Sequence, residues 1–405
     1  MDGSVQLEMR FGASNYAPMP VTLVRGKGVY LWDENGRRYI DMMGAYSAAS
    51  FGHCHPRLVQ ALTDQARQLD TISRAYFSDR LGAFLGRACV LTGMDLALPM
   101  NSGAEAVETA LKAARKWAYT VKRVPADRAE IIVCDGNFHG RTIAIVGFSS
   151  VQQYRDGFGP FPPGFRSVPF GDAAALRAAI TPNTAAFLVE PIQGEGGINV
   201  PPPGYLAEVA RICREHDVLL ICDEIQSGLG RTGKLLACQH DGVKPDAVTL
   251  GKALGGGLLP VSLFLARRDV MQVFKPGDHG STFGGNPVAA AVGLAALDTL
   301  IEEKLIERSA RLGAHLLSRL AAIRNPIIRE ARGRGLFVGV ELDRDLVSAA
   351  AVATRLLQAG VLTKDTHRNT VRFAPPLTIE ESEIDWAVDR VAEVLDEFAR
   401  ADVHP

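Results

Sequence analysis

No stretch of this chain stays apolar for the roughly twenty residues a membrane-spanning helix needs, so a membrane anchor is not expected. Charge of one sign is lacking as well. The formal net charge is -1 and no basic tract stands out, which argues against nucleic acid as a partner. Cysteine is sparse. Its six residues, Cys54, Cys89, Cys134, Cys213, Cys222 and Cys238, form no CxxC pair, and several lie inside apolar segments. They read as reduced core thiols rather than disulfides. The His53-Cys54-His55 cluster has no evident distant fourth ligand and its adjacent side chains point different ways, so no metal is expected there. Internal repeats and low-complexity tracts are missing. The opening residues MDGSVQLEMRFGAS carry neither a charged-then-apolar signal pattern nor an Arg-rich transit composition, and the expectation is a soluble, cytoplasmic protein.

What is present is apolar material. It makes up 47% of the 405 residues, enough for a large core and two domains. The stretch from Val218 to Ser262 organises the rest. Its apolar runs, Val218 to Cys222 and Ala247 to Leu250, predict buried parallel strands. The first ends in Asp223-Glu224 and the second in Gly251-Lys252, followed by Ala-Leu-Gly-Gly-Gly. Ligands of open α/β sheets bind outside the carboxyl ends of the strands. A carboxylate and an amine therefore emerge where a cofactor would sit. Gly228-Leu229-Gly230-Arg231-Thr232-Gly233 matches GxGxxG, but residues 223–227 separate it from the strand end and no acidic residue follows in the expected place, so a nicotinamide site is not expected.

Other segments follow the same rhythm. Residues 15–20 form a Pro-stiffened arm, and VYLWD-ENG-RRYID predicts a β-hairpin. Small residues at Ser102, Gly103 and Ala104 precede a helical run, and backbone amides at a helix N-terminus suit a phosphate. Strands are predicted at 130–134, before Phe138 and Arg141, and at 185–190, before the Gly-rich turn that carries Glu195. Strand-helix-strand alternation from about residue 95 to 265 predicts a mainly parallel sheet with helices on its faces. The C-terminal part reads as α+β, with RGLFVGVEL and TVRFAPP as strands, a capping box at residues 378–381, and a last helix with apolar residues at Ile384, Val388, Val391, Leu395 and Phe398.

Taken in order, these motifs resemble the class III pyridoxal-phosphate aminotransferases, over essentially the whole chain. The matching pieces are NYxPxPV, YSA, GHCHP, NFHGRT, EPIQGE, DEIQ, LGKALGGG, HGSTFGGNP and RFAPPL. The resemblance implies the fold-type-I transferase architecture, with a seven-stranded, mainly parallel sheet in a large domain at residues 51–295. The smaller α+β domain would comprise residues 296–405 together with the N-terminal arm and hairpin, residues 1–50. The implied cofactor is pyridoxal 5'-phosphate. Lys252 would bind its aldehyde, Asp223 would keep its pyridine nitrogen protonated, and Gln226 would reach its phenolic oxygen. Phe138 would stack on the ring, and Ser102, Gly103 and Ala104 would cradle the phosphate. Ser281 and Thr282 would also serve the cofactor, with Thr282 reaching a neighbouring subunit's phosphate. That implies a homodimer with shared sites, or a higher assembly built on it.

Within the class the pattern is nearest the ornithine aminotransferase branch. Tyr16 and Tyr46 match tyrosines that line the ornithine pocket, whereas acetylornithine and 4-aminobutyrate branches typically carry an aliphatic residue in place of the second. Arg141 would hold a substrate carboxylate, and an ion pair between Glu195 and Arg372 would gate a second one. The implied reaction moves the side-chain amine of ornithine to 2-oxoglutarate. Another class III ω-aminotransferase of acetylornithine or 4-aminobutyrate type is the alternative, followed by a racemase or decarboxylase of the same fold. A non-catalytic binding protein would need a broken site, and the expected positions are all filled. The chain departs from the family pattern at Ala49-Ser50-Phe51, usually Val-Asn-Gln, and at Gly196, usually Ala.

Overall fold

The computed structural model describes residues 3–401. Its centre is a seven-stranded sheet in the spatial order Leu96–Met100, Ser262–Ala266, Ala247–Leu250, Leu219–Asp223, Thr184–Val189, Glu130–Cys134 and Phe165–Val168. All neighbours are parallel except at Ser262–Ala266, which pairs antiparallel on both sides. The reversal has a simple cause. Only residues 251–261 separate that strand from the one before it, too few for the helical crossover that a parallel neighbour requires. The strands Thr184–Val189 and Leu219–Asp223 are buried at every position, as continuous apolar runs covered on both faces should be. Helices such as Gly103–Trp117 and Tyr205–Glu215 supply the cover.

Two smaller sheets flank this core. The hairpin Tyr30–Asp33 and Arg38–Asp41 forms as expected and also pairs with Leu23–Lys27. Its last strand then takes Val361–Leu362 as a parallel neighbour, so the chain's beginning and its last third share one sheet. The strands Ile328–Arg334, Phe337–Leu342, Thr370–Phe373 and Lys364–Thr366 make an antiparallel sheet in that order. The last helix, Glu381–Ala401, buries Ile384, Val388, Val391 and Leu395, and Phe398 packs against the same core.

One local expectation is corrected, and two segments show features that the sequence did not announce. A short helix, Ser4–Phe11, precedes the arm; it buries none of its residues, which is why no core-facing periodicity announced it. The capping box expected at residues 378–381 does not form. The Thr378 hydroxyl is buried without a partner, and Glu383 instead accepts from the Glu380 N–H at 2.7 Å. The glycines of the GxGxxG match are packing residues. A Cβ at Gly233 would lie 2.8 Å from the Ala310 Cα, so this turn lies tight against the helix Leu305–Ala321. Arg231 within it is fully buried and donates to the carbonyls of Leu336 and Pro375 and to the Ser50 hydroxyl, which makes Ser50 a hydrogen-bond partner where the sequence departs from the family.

Candidate active site

The carboxyl edge of the central sheet gathers the site. Lys252 follows the strand Ala247–Leu250 after Gly251 and takes a left-handed backbone conformation, with φ of 44°. A non-glycine residue held there is strained, and such strain clusters at functional positions. Asp223 closes the adjacent strand, and Glu190 and Phe138 follow the next two. These residues line a cavity of about 180 Å³ together with Gly103, Ala104, His139 and Gln226. Burial pulls the Lys252 ammonium below the usual lysine range. Glu195, Asp223 and Glu190 pull it back up and Arg372 pushes it further down. The net shift is toward the neutral amine, the form that attacks a carbonyl.

Asp223 is held from three sides. His139 Nδ1 lies 2.6 Å from Oδ2, Thr249 Oγ1 donates to Oδ1 at 3.0 Å, and the Ile225 N–H donates to the same oxygen at 3.1 Å. Burial pulls the His139 pKa down, but the hydrogen bond and charge of Asp223 outweigh it and raise it overall. Glu190 accepts from the N–H groups of Phe138 and Gly194, at 2.9 and 3.3 Å, and burial pushes its carboxyl up to about 7. His139, Thr249 and Glu190 escaped the sequence reading as site residues. His139 stands inside the quoted NFHGRT run, but nothing in strand or helix periodicity shows that it turns toward Asp223.

At the Ser102–Gly103 turn, Ser102 caps the helix Gly103–Trp117 by accepting from the Glu105 N–H, and Glu105 accepts from the amides of Asn101 and Ser102. Among the described residues no hydrogen bond is made by the amides of Gly103 and Ala104, which line the cavity at a positive helix terminus suited to phosphate. Amine, carboxylate and anion cradle around one cavity fit the donor set that pyridoxal phosphate requires.

A second group adjoins the cavity. Arg372 is almost fully buried and pairs with Glu195 at 2.5 Å, with the Tyr46 ring 4.8 Å beneath its guanidinium. Gln226 Nε2 reaches Glu195 Oε1 and the Tyr46 carbonyl, both at 3.4 Å. Tyr46 sits in a left-handed run, residues 45–47, that swings it under Arg372. Burial raises the Glu195 carboxyl, but the charges of Arg372 and Lys252 more than reverse this and hold it below the usual range.

Other expected residues stay apart in the single chain. Tyr16 is exposed on the arm; burial is the main cause that raises the Tyr46 pKa, and Tyr16 is near enough to add to it. Arg141 lies outside the cavity lining, stacked on Tyr154. Ser281 accepts from Asn101 beside the Ser102 turn, and Thr282 faces solvent.

This site and fold define a class. Residues 11–395 match the aminotransferase class-III family, and the chain belongs to it. That family works with pyridoxal phosphate. Among known proteins the chain is 56% identical, over 96% of its length and 98% of the relative's, to an ornithine aminotransferase of Geobacillus sp. (strain WCH70). An ornithine aminotransferase from Toxoplasma gondii, with PLP at partial occupancy in its active site, superposes with a TM-score of 0.96 at 46% identity, covering 98% of this chain and 94% of that one. An acetylornithine aminotransferase from Elizabethkingia anophelis gives a TM-score of 0.87 at 43% identity, covering 97% and 98%. Overall similarity therefore separates these donors poorly, and the pocket residues must do so.

Proposed function

We propose that this chain is an ornithine aminotransferase, moving the side-chain amine of ornithine to 2-oxoglutarate to yield glutamate 5-semialdehyde, which cyclises, and glutamate. When bound, pyridoxal phosphate supplies an aldehyde that accepts amines and a protonated ring that takes up electrons. Lys252 would hold it covalently, Gly103, Ala104 and Ser102 would take the phosphate, and Phe138 and Gln226 would flank the ring. Asp223, oriented by His139 and Thr249, would keep the ring nitrogen protonated. Released Lys252 would carry a proton to and from the reacting carbon of the substrate.

The observation that carries the reading is the Glu195–Arg372 pair beside Lys252. One pocket must present the distal amine of ornithine but the α-amine of glutamate. An unmasked Arg372 would draw in any α-carboxylate and deliver the α-amine of either substrate. With Glu195 on it, ornithine is left to bind through Arg141, Tyr16 and Tyr46. For 2-oxoglutarate, Glu195 swings off and the substrate carboxylate replaces it. Leaving the arginine bare costs roughly 3–5 kcal/mol, so only an incoming carboxylate makes the swing feasible.

A panel of amine donors with 2-oxoglutarate, with product identification, tests the assignment. Ornithine should give the highest kcat/KM and pyrroline-5-carboxylate as product. Faster turnover of N-acetylornithine or 4-aminobutyrate would replace the assignment with the other ω-aminotransferase reading. We further propose a cytoplasmic homodimer. The six unpaired cysteines suit a reducing compartment, and Tyr76, Phe77 and Phe283, the last next to Thr282 in sequence, are exposed apolar side chains that a second copy would cover.

A further inference from the structure

Arg141 differs from the other arginines near the site. Arg372 is paired with Glu195, Arg332 with Glu330 and Glu341, and Arg368 bonds Asn199. The Arg141 guanidinium forms neither an ion pair nor a hydrogen bond among the described residues. Aromatic rings hold it instead. Its Cζ lies 3.8 Å from the centroid of Tyr154 and 5.6 Å from that of Phe138. Tyr154 in turn meets Phe138 edge-on at 6.3 Å and His367 at 6.5 Å. His367 sits at the turn of the hairpin whose strands are Lys364–Thr366 and Thr370–Phe373, the second of which carries Arg372. The same hairpin is tied to the gate, because Thr366 Oγ1 donates to the Glu195 carbonyl at 2.6 Å.

A guanidinium lying on a ring face keeps its in-plane N–H donors free, the arrangement that bidentate carboxylate binding requires. It also loses rotamer freedom before substrate arrives, which removes a cost of binding. We propose that Tyr154 is a specificity-determining positioning residue. Its ring is the platform that fixes Arg141 for the carboxylate of ornithine, and its contact with His367 sets that arginine in register with the hairpin bearing Arg372. The proposal rests on the reading of Arg141 as the carboxylate receptor.

The test uses the holoenzyme and three variants. Tyr154→Leu keeps apolar bulk but removes the π face. It should raise the KM for ornithine roughly tenfold, with kcat within about twofold, the mark of lost uniform binding. Tyr154→Phe keeps the face and should stay within about twofold of the parent in both constants. The half-reaction with 1,4-diaminobutane, which is ornithine without its carboxylate, should have the same kcat/KM in Tyr154→Leu as in the parent. Arg141→Ala separates the two layers of argument. If it leaves the ornithine KM unchanged, the receptor reading itself is wrong and the platform falls with it. If Arg141→Ala raises KM while Tyr154→Leu does not, only the platform is overturned. Equal losses for both donors in Tyr154→Leu, or failure of Tyr154→Phe to restore the constants, would reduce Tyr154 to general packing and also overturn it.

Discussion

Lys252 combines a strained backbone conformation with a lowered pKa, the second caused chiefly by burial of its ammonium. Borohydride reduction of the holoenzyme followed by peptide mapping should place the pyridoxyl group on Lys252, and labelling of another lysine would refute the assignment. Its neighbour Asp223 is proposed to act through charge. Asp223→Asn should retain some cofactor yet lose turnover by on the order of a hundredfold or more, as when one preorganised electrostatic partner is removed. Near-normal single-turnover rates in that variant would contradict the role. At the gate, Glu195→Ala should favour glutamate over ornithine and let some ornithine react at its α-amine, read by identifying the keto product. The same pair carries a pH signature. The Glu195 carboxyl is held below its unfolded value, so its contribution to stability is complete above that value, about pH 4.3, and is lost as pH falls through the folded one. The stability advantage of the parent over Glu195→Gln should therefore shrink in urea titrations taken below about pH 4.3.

Elements meet closely where no chemistry occurs. The helix Leu305–Ala321 passes the turn before Phe337–Leu342 at Gly313, where a Cβ would lie 1.9 Å from the Gly335 carbonyl carbon. That turn in turn touches the backbone of residues 232–233. Gly313→Ala must push backbone apart, so it should destabilise the fold by about 1–3 kcal/mol, seen as a lower urea midpoint. Cofactor absorbance in the fraction that remains folded should be unchanged, since Gly313 lies outside the cavity lining. The elements themselves were largely legible. The strands 130–134 and 247–250 fall where apolar runs indicate, because a strand buried on both faces must be continuously apolar, and the last helix, Glu381–Ala401, falls where its apolar stripe indicates. The Ser4–Phe11 helix was not, since burial leaves no pattern on an element that buries nothing.

At the scale of the whole molecule, Thr282 lies outside its own chain's cavity, on a loop that packs beside residues 74–81; a Cβ at Gly285 would meet Arg74 at 2.9 Å and Leu81 at 3.1 Å. If that loop completes a partner's site, mixed dimers of Lys252→Ala and Thr282→Ala chains should regain activity that neither parent dimer has, because one site then carries both defects and the other neither. Absence of recovery would return Thr282 to its own subunit.

The sequence alone determined the class of fold and the ends of its strands, because apolar continuity and the polar residue that terminates it are local properties. It also placed Lys252 and Asp223 at one edge of one sheet, since parallel strands share their carboxyl ends. Only the tertiary structure decided what surrounds them. His139 reaches Asp223 from another strand's loop, Glu195 meets Arg372 across a long span of chain, and Tyr154 slides under Arg141. These are contacts between side chains distant in sequence, selected by where loops turn and which way χ angles point. No periodicity records them, because a single polar residue in a loop satisfies many geometries until packing leaves it one.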